Sequence, residues 1–238
     1  MDKKTNVLVV DDSALMRNLI SKMVKSDPLL DVPATAMNGQ FAVEKLKRFE
    51  IDCIVLDLEM PVMDGITFLK HCRKENINIP TIILSSIAEK GARITMEALS
   101  YGASDFILKP SGSISHDIHQ VRDKLVDTIK IYTRGYRFVK PREPEVPKKT
   151  EFKRTTADIK KAPEAPKEMP LVPEVEYKPD RIDIVAIGIS TGGPNALRKV
   201  FADFDPDLPV PVVVVQHMPA GFTEEFAKSL DRICPLEV

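Results

Sequence analysis

Three aspartates stand where apolar runs stop. Asp57 closes CIVLD (Cys53 to Asp57) and is followed by LEMPVMDG, while Asp11 and Asp12 follow NVLVV. Four apolar residues in a row, β-branched in the middle, predict a strand buried on both faces. Pro61 and Asp64-Gly65 predict the turn after it. In a doubly wound parallel sheet the carboxyl ends of such strands share one edge, so the three acids converge. Carboxylates at one point repel, and keeping them ionised calls for a cation. Oxygen-only ligands in low number suit Mg²⁺, which keeps several waters and accepts phosphate oxygens. TIILS ends in Ser85-Ser86 and DFIL in Lys109-Pro110. A hydroxyl and a lysine at that edge are what an incoming phosphoryl group needs.

A second constellation lies near the C-terminus. IDIVAIGIS predicts a strand ending in Ser190, which turns through Thr191-Gly192-Gly193 into a helix with Pro194 in its first turn. PVVVVQHM predicts another buried strand, ending in Gln216-His217, and AGFTEEFAKSLDRI a helix capped by Thr223 or Gly221. The βαβ spacing makes the two strands near neighbours, about 4.8 Å to 10 Å apart, so Ser190 and His217 come within side-chain reach. A serine on a tight strand-to-helix turn faces outward beside backbone N–H groups. Three readings follow from the residues alone. A dinucleotide loop fits poorly, because the G-x-G-x-x-G spacing and the ribose-holding acid are missing. Ser190 could be only a helix cap and His217 only a strand-end residue. An acyl-transfer site would use the serine as nucleophile, the histidine as base and the N–H groups for an oxyanion.

The elements that must position these groups alternate. Strand 6–10 leads to helix 14–25, with Leu15, Met16, Leu19, Ile20, Met23 and Val24 as a core stripe and Asp12 or Ser13 as N-cap. Helix 39–49, strand 53–57, helix 65–74, strand 80–85, helix 91–101, strand 105–108 and a helix near 115–133 follow. Such alternation implies a parallel sheet with right-handed crossovers. Residues 141–180 then hold eight of the 19 prolines, no glycine, and nine basic and nine acidic residues. That stretch cannot bury enough apolar surface to offset its ordering entropy and predicts an extended spacer. A net charge of −1 over 238 residues leaves no global basic surface for nucleic acid. Four histidines and three scattered cysteines (Cys53, Cys72, Cys234) have no metal-ligand spacing and fit a reducing cytoplasm, with Cys53 a small core residue. No apolar run is long enough for a signal peptide or a membrane span, so direct membrane insertion is not expected.

The ordered set Asp11, Asp12, Asp57, Ser85, Phe106 and Lys109 resembles a response-regulator receiver domain over about residues 4–130. That resemblance implies Asp57 as phosphate acceptor and Asp11, Asp12, Asp57 and the Glu59 backbone carbonyl as Mg²⁺ ligands. Ser85 and Phe106 would be the switch positions and Lys109 the phosphoryl-contacting lysine. A receiver, a Pro/charged spacer, then IGISTGGP…VVVVQHMP…GFTEEFA resembles the chemotaxis protein-glutamate methylesterases. By that resemblance Ser190 is the nucleophile and His217 its base, and Thr191 and Gly192 belong to the substrate and oxyanion region. No cofactor is implied for the esterase. The family takes phosphate from a chemotaxis histidine kinase, which relieves a block on the esterase site, and acts on methyl-accepting chemoreceptors in the cytoplasm. Many members also deamidate receptor glutamines.

The expected fold class is α/β: a flavodoxin-like receiver over 1–133, a linker over 134–180, and the N-terminal part of a parallel-sheet methylesterase domain over 181–238. The family's third catalytic residue, a downstream aspartate, has no counterpart here. Asp231 and Glu237 are the only acids after Glu225, and neither follows a suitable strand. The reading is thus a phosphorylation-regulated methylesterase whose 238 residues are cut short and inactive. The alternative is a non-catalytic receiver acting as phosphate sink or adaptor. A DNA-binding regulator is disfavoured by the lack of a helix-turn-helix pattern or basic stripe.

Overall fold

A computed structural model describes residues 4–85, 89–109, 118–139 and 182–238, with the backbone alone at 89–90 and 134–139. The spacer expected at 141–180, Ser86, Pro110 and the helix start expected at 115 lie outside the described residues. The first half runs β1 (Thr5–Val10), α1 (Ala14–Lys25), β2 (Leu30–Ala36), α2 (Gly39–Leu46), β3 (Cys53–Asp57), α3 (Gly65–Lys74), β4 (Thr81–Ser85), α4 (Glu89–Ser100), β5 (Asp105–Leu108) and α5 (Ile118–Val139). All five strands are parallel, in the order β2-β1-β3-β4-β5.

Apolar runs and register explain the sheet. β3 and β4 are buried along their whole length and lie inside the sheet, as their unbroken apolar sequences require. Alternate residues feed two cores. Val7, Val9, Cys53, Val55, Ile82 and Leu84 meet α1 and α5, whereas Leu8, Val10, Ile54, Leu56 and Ile83 meet α2, α3 and α4. β2 was not foreseen. Pro33 sits inside it, and a proline interrupts the strand reading. β2 is an edge strand, where the missing N–H is tolerated, and its pairing with β1 shifts register across Asn6 and Leu8, beside that proline. Ser13 is the N-cap of α1, accepting from the Met16 N–H at 3.4 Å, so Asp12 is released from that role. Leu15 points to solvent and does not belong to the core stripe that was expected of it.

The second part adds β6 (Val185–Ile189), α6 (Gly193–Ala202), β7 (Val212–Gln216) and α7 (Phe222–Asp231). β6 and β7 are parallel neighbours. Their faces differ, because inner residues are half-buried while Ala186, Gly188, Val213 and Val215 are exposed. The expected fully buried strand is therefore covered on one side only. Residues 1–140 and 184–238 form one compact unit. Leu197, Phe201, Phe222, Phe226 and Leu230 of α6 and α7 belong to the same apolar cluster as Leu56, Phe68 and Phe106. The helices of the second part thus complete their burial on the first.

Candidate functional site

Register brings the first set of residues together. Val10 pairs with Leu56, so Asp11 and Asp57 stand side by side one step further on. Ser85 pairs with Leu108, and the Lys109 N–H donates to the Ser85 carbonyl at 2.7 Å. The Lys109 ammonium lies 2.7 Å from Asp57 Oδ2 and 3.0 Å from Asp11 Oδ2. Asp57 Oδ1 accepts from the Leu58 N–H at 2.7 Å, and Asp11 Oδ1 from the Ser13 N–H at 2.9 Å. A side chain at Gly65 would lie 2.5 Å from the Asp57 carbonyl oxygen, so only glycine lets α3 start this close behind the acid.

Electrostatics mark this edge as unfinished by protein groups alone. Burial pushes the Asp57 carboxyl above the usual carboxylate range; Lys109 pulls it partway back, and the Asp11 charge pushes it up again. Burial alone would lower the Lys109 ammonium, but Asp57 and Asp11 together raise it. Carboxylate oxygens of Asp11, Asp12 and Asp57 lie within 4.8 Å of one another. Three acids facing one lysine leave excess negative charge, and oxygen donors in this number fit Mg²⁺. A cavity of about 230 Å³ opens there, lined by Asp12, Asp57, Glu59, Ser85 and Lys109.

Ser85 carries a contact the sequence did not signal. Its hydroxyl lies 2.6 Å from the Thr95 hydroxyl, which is fully buried and bonds the Gly91 carbonyl at 2.7 Å. Ser85 is thereby tied to α4, and α4 packs on α7. Phe106 stacks on Phe222 of α7 with ring centroids 5.0 Å apart and planes 6° from parallel. Such pairs are worth about 0.5–1.5 kcal/mol beyond their area.

The second set also follows from register. Ile189 pairs with Gln216, so Ser190 and His217 are adjacent at the strand ends, and the His217 N–H extends the ladder to the Ile189 carbonyl at 3.1 Å. Ser190 Oγ lies 3.3 Å from His217 Nδ1, both residues being exposed. Gly192 has φ +79° and is the N-cap of α6, with Pro194 in the first turn. At the other helix Gly221, not Thr223, is the N-cap, with φ +82°. Gln216, which the sequence reading passed over, braces the turn: its Nε2 donates to the Ser190 carbonyl at 3.1 Å and the His217 carbonyl at 3.2 Å. A Cβ on Gly193 would sit 2.0 Å from Gln216 Oε1, so glycine there makes room for the brace.

Ser190, Thr191 and His217 face a cavity of about 180 Å³ whose other wall includes Asp105, Leu108 and Lys124. The wall touches the turn directly, since the Gly192 N–H donates to Asp105 Oδ2 at 2.8 Å. Burial raises the Asp105 carboxyl, against the pull of the Gly192 and Phe106 N–H groups. Tyr132, half-buried beside it and facing its charge, is raised as well, by burial first. Among the described residues no acid is paired with the His217 ring, and no helix is long and apolar enough to cross a membrane.

The chain matches two protein families, the response regulator receiver domain over residues 7–119 and the CheB methylesterase over 185–238. It is 53% identical over 98% of its length to a protein-glutamate methylesterase/protein-glutamine glutaminase of Treponema denticola, covering 63% of that protein. The counterpart in Treponema pallidum is 44% identical, with 99% of this chain and 66% of that one covered. The chain thus spans about two thirds of the length of these relatives. Among solved structures, the response regulator domain of Thermotoga maritima CheB aligns with a TM-score of 0.50 and 42% identity, covering 56% of this chain and 98% of that one.

Proposed function

The chain belongs to the CheB-type protein-glutamate methylesterases, and on that premise we propose that it is a phosphorylation-controlled hydrolase acting on glutamyl methyl esters of chemoreceptors. The observation that carries the reading is the Ser190–His217 pair, 3.3 Å apart at the carboxyl edge of β6 and β7, facing a cavity whose other wall is the receiver half. In this reading Ser190 Oγ attacks the ester carbonyl while His217 takes its proton. The resulting oxyanion is held by N–H groups of the Thr191–Gly192 turn. Methanol departs with the proton from His217, and water, activated by the same imidazole, releases the glutamate carboxylate. A glutamine amide would follow the same course with ammonia as leaving group.

Control belongs to the other edge. Asp57 accepts the phosphoryl group from a chemotaxis histidine kinase. Asp11, Asp12, Asp57 and the Glu59 carbonyl would hold Mg²⁺, which when bound offsets charge on the transferring phosphoryl. Lys109 then contacts the phosphoryl oxygens, while Ser85 and Phe106 carry the change to α4 and α7. The domain division 1–133, 134–180 and 181–238 belongs to the same proposal, as does a cytoplasmic location. Labelled acetyl phosphate with Mg²⁺ tests the receiver: acid-labile phosphate should appear on the chain and vanish in Asp57→Asn. Labelling that survives that substitution defeats the assignment.

A further inference from the structure

Asp105 is 6% exposed, and its carboxylate has a full set of donors. Oδ2 accepts from the Gly192 N–H at 2.8 Å and from the Tyr132 hydroxyl at 3.4 Å, and Oδ1 accepts from the Phe106 N–H at 2.8 Å. Tyr132 is fixed in turn by a 2.6 Å bond to the Ser104 carbonyl. Gly192 is the odd member of this group, because it comes from the other half of the molecule, two residues beyond Ser190. An N–H at the head of a helix just after a nucleophilic serine is a donor of the type that stabilises an oxyanion. A carboxylate oxygen is the side-chain atom most like that oxyanion in charge and acceptor geometry.

We propose that Asp105 is an internal plug, its carboxylate occupying the Gly192 N–H that the substrate oxyanion would otherwise use. The receiver half then withholds a catalytic donor while the serine itself stays exposed. This inference rests on Ser190 being the nucleophile and gives the block a defined chemical contact. The plug is also placed to respond to the receiver. Asp105 precedes Phe106 on a strand of four residues, and that strand ends beside Lys109, whose ammonium bonds Asp57. Phe106 in turn stacks on α7. A shift of β5 or of the Phe106 ring therefore pulls on the Gly192 contact.

The test is residue-resolved amide exchange on the ¹⁵N-labelled 238-residue chain. The Gly192 amide should be protected in the unphosphorylated protein and exchange about 10- to 100-fold faster in Asp105→Ala, the loss expected for a hydrogen bond to a charged acceptor. Amides of β1, β3 and α7 should keep their rates, which establishes that fold and docking survive. Acetyl phosphate with Mg²⁺ on the wild-type chain gives an arm without substitution, and Gly192 exchange should rise there too. Unchanged Gly192 exchange in both arms overturns the plug, and so does equal acceleration of Gly192 and α7 in Asp105→Ala, because Asp105 would then be a general docking contact. Ser190 labelling by a small fluorophosphonate in the same samples separates the plug from the reading beneath it. Faster Gly192 exchange with no Ser190 labelling keeps the Asp105–Gly192 contact but removes the nucleophile, and with it the plug's catalytic meaning. Ser190 labelling that rises on phosphorylation while Gly192 exchange stays fixed keeps the nucleophile and removes the plug.

Discussion

The Asp57 edge and the Ser190 edge use the same device, a polar residue one step beyond a pair of parallel strands, but their surroundings differ. Asp57 is 6% exposed, with helices covering both faces of a five-stranded sheet. Ser190 and His217 are open to solvent on a two-stranded sheet whose outer face, with Val215 69% exposed, is bare. The first edge carries its own partners: lysine, hydroxyl and three acids. The second has a serine and a histidine braced by Gln216, and its nearest carboxylate contact comes from Asp105 of the other half. A closed site can be set by its own core. An open one takes part of its geometry from whatever it rests on, and so can be controlled by it.

The largest expected effect tests whether the two residues of the open edge act as one unit. On the esterase reading, Ser190→Ala and His217→Ala should each cost on the order of 10⁶-fold in methanol release from a methyl-labelled glutamyl ester, and the double variant little more. Single losses that multiply in the double variant would break the comparison, because the two residues would then act independently.

Much of this contrast was legible in the sequence. Apolar runs ending in Asp11, Asp57, Ser85 and Lys109 fix a parallel sheet, and register then converges the residues without further information. What stayed hidden depended on tertiary partners. β2 was masked by Pro33, acceptable only because that strand lies at an edge. The outer face of β7 read as buried because Val213 and Val215 are as apolar as true core residues. Thr95 and Asp105 are single polar residues in ordinary helix and strand positions. Their contacts with Ser85 and Gly192 span 10 and 87 residues and leave no local pattern.

The next effect sharpens the claim that the second part borrows its core. Phe222 is fully buried and stacks on Phe106. Phe222→Ala removes a large core side chain, at about 3–5 kcal/mol. The penalty should fall on residues 184–238: α7 amides should exchange about 100-fold faster or more, while the receiver's own unfolding midpoint holds. A matching loss in β1 and β3 would mean that the two parts unfold as one and that the contrast in self-sufficiency is false.

A smaller effect probes charge at the closed edge. Asp57 is buried beside Asp11, and Lys109 compensates only in part. In metal-free buffer at neutral pH, Asp57→Asn should stabilise the receiver by on the order of 1–2 kcal/mol, as relief of buried like charge does, because Lys109 keeps Asp11 at 3.0 Å. Mg²⁺ should stabilise the wild type by mass action and the variant much less. Thermal midpoints with and without Mg²⁺ measure both. A variant less stable than the wild type in metal-free buffer would mean that the Lys109–Asp57 pair outweighs the repulsion.

The smallest effect belongs to Asp105, the residue that joins the two edges. Burial holds its carboxyl above the ordinary value of 3.8, with the Gly192 and Phe106 N–H groups opposing. Above 3.8, and up to its raised value, the folded chain therefore binds more protons at this site than the unfolded chain. Stability must fall as pH rises through that window. Asp105→Asn has no such proton to lose, so its stability relative to the wild type should climb across the same window and level off beyond it. The total difference should be on the order of 1 kcal/mol. Urea midpoints taken at intervals from pH 4 upward would resolve it. A relative stability that falls with pH would mean that the ionised form is the one the fold prefers. The Gly192 and Phe106 N–H groups would then outweigh burial, and the open edge would be held to the receiver more tightly as pH rises.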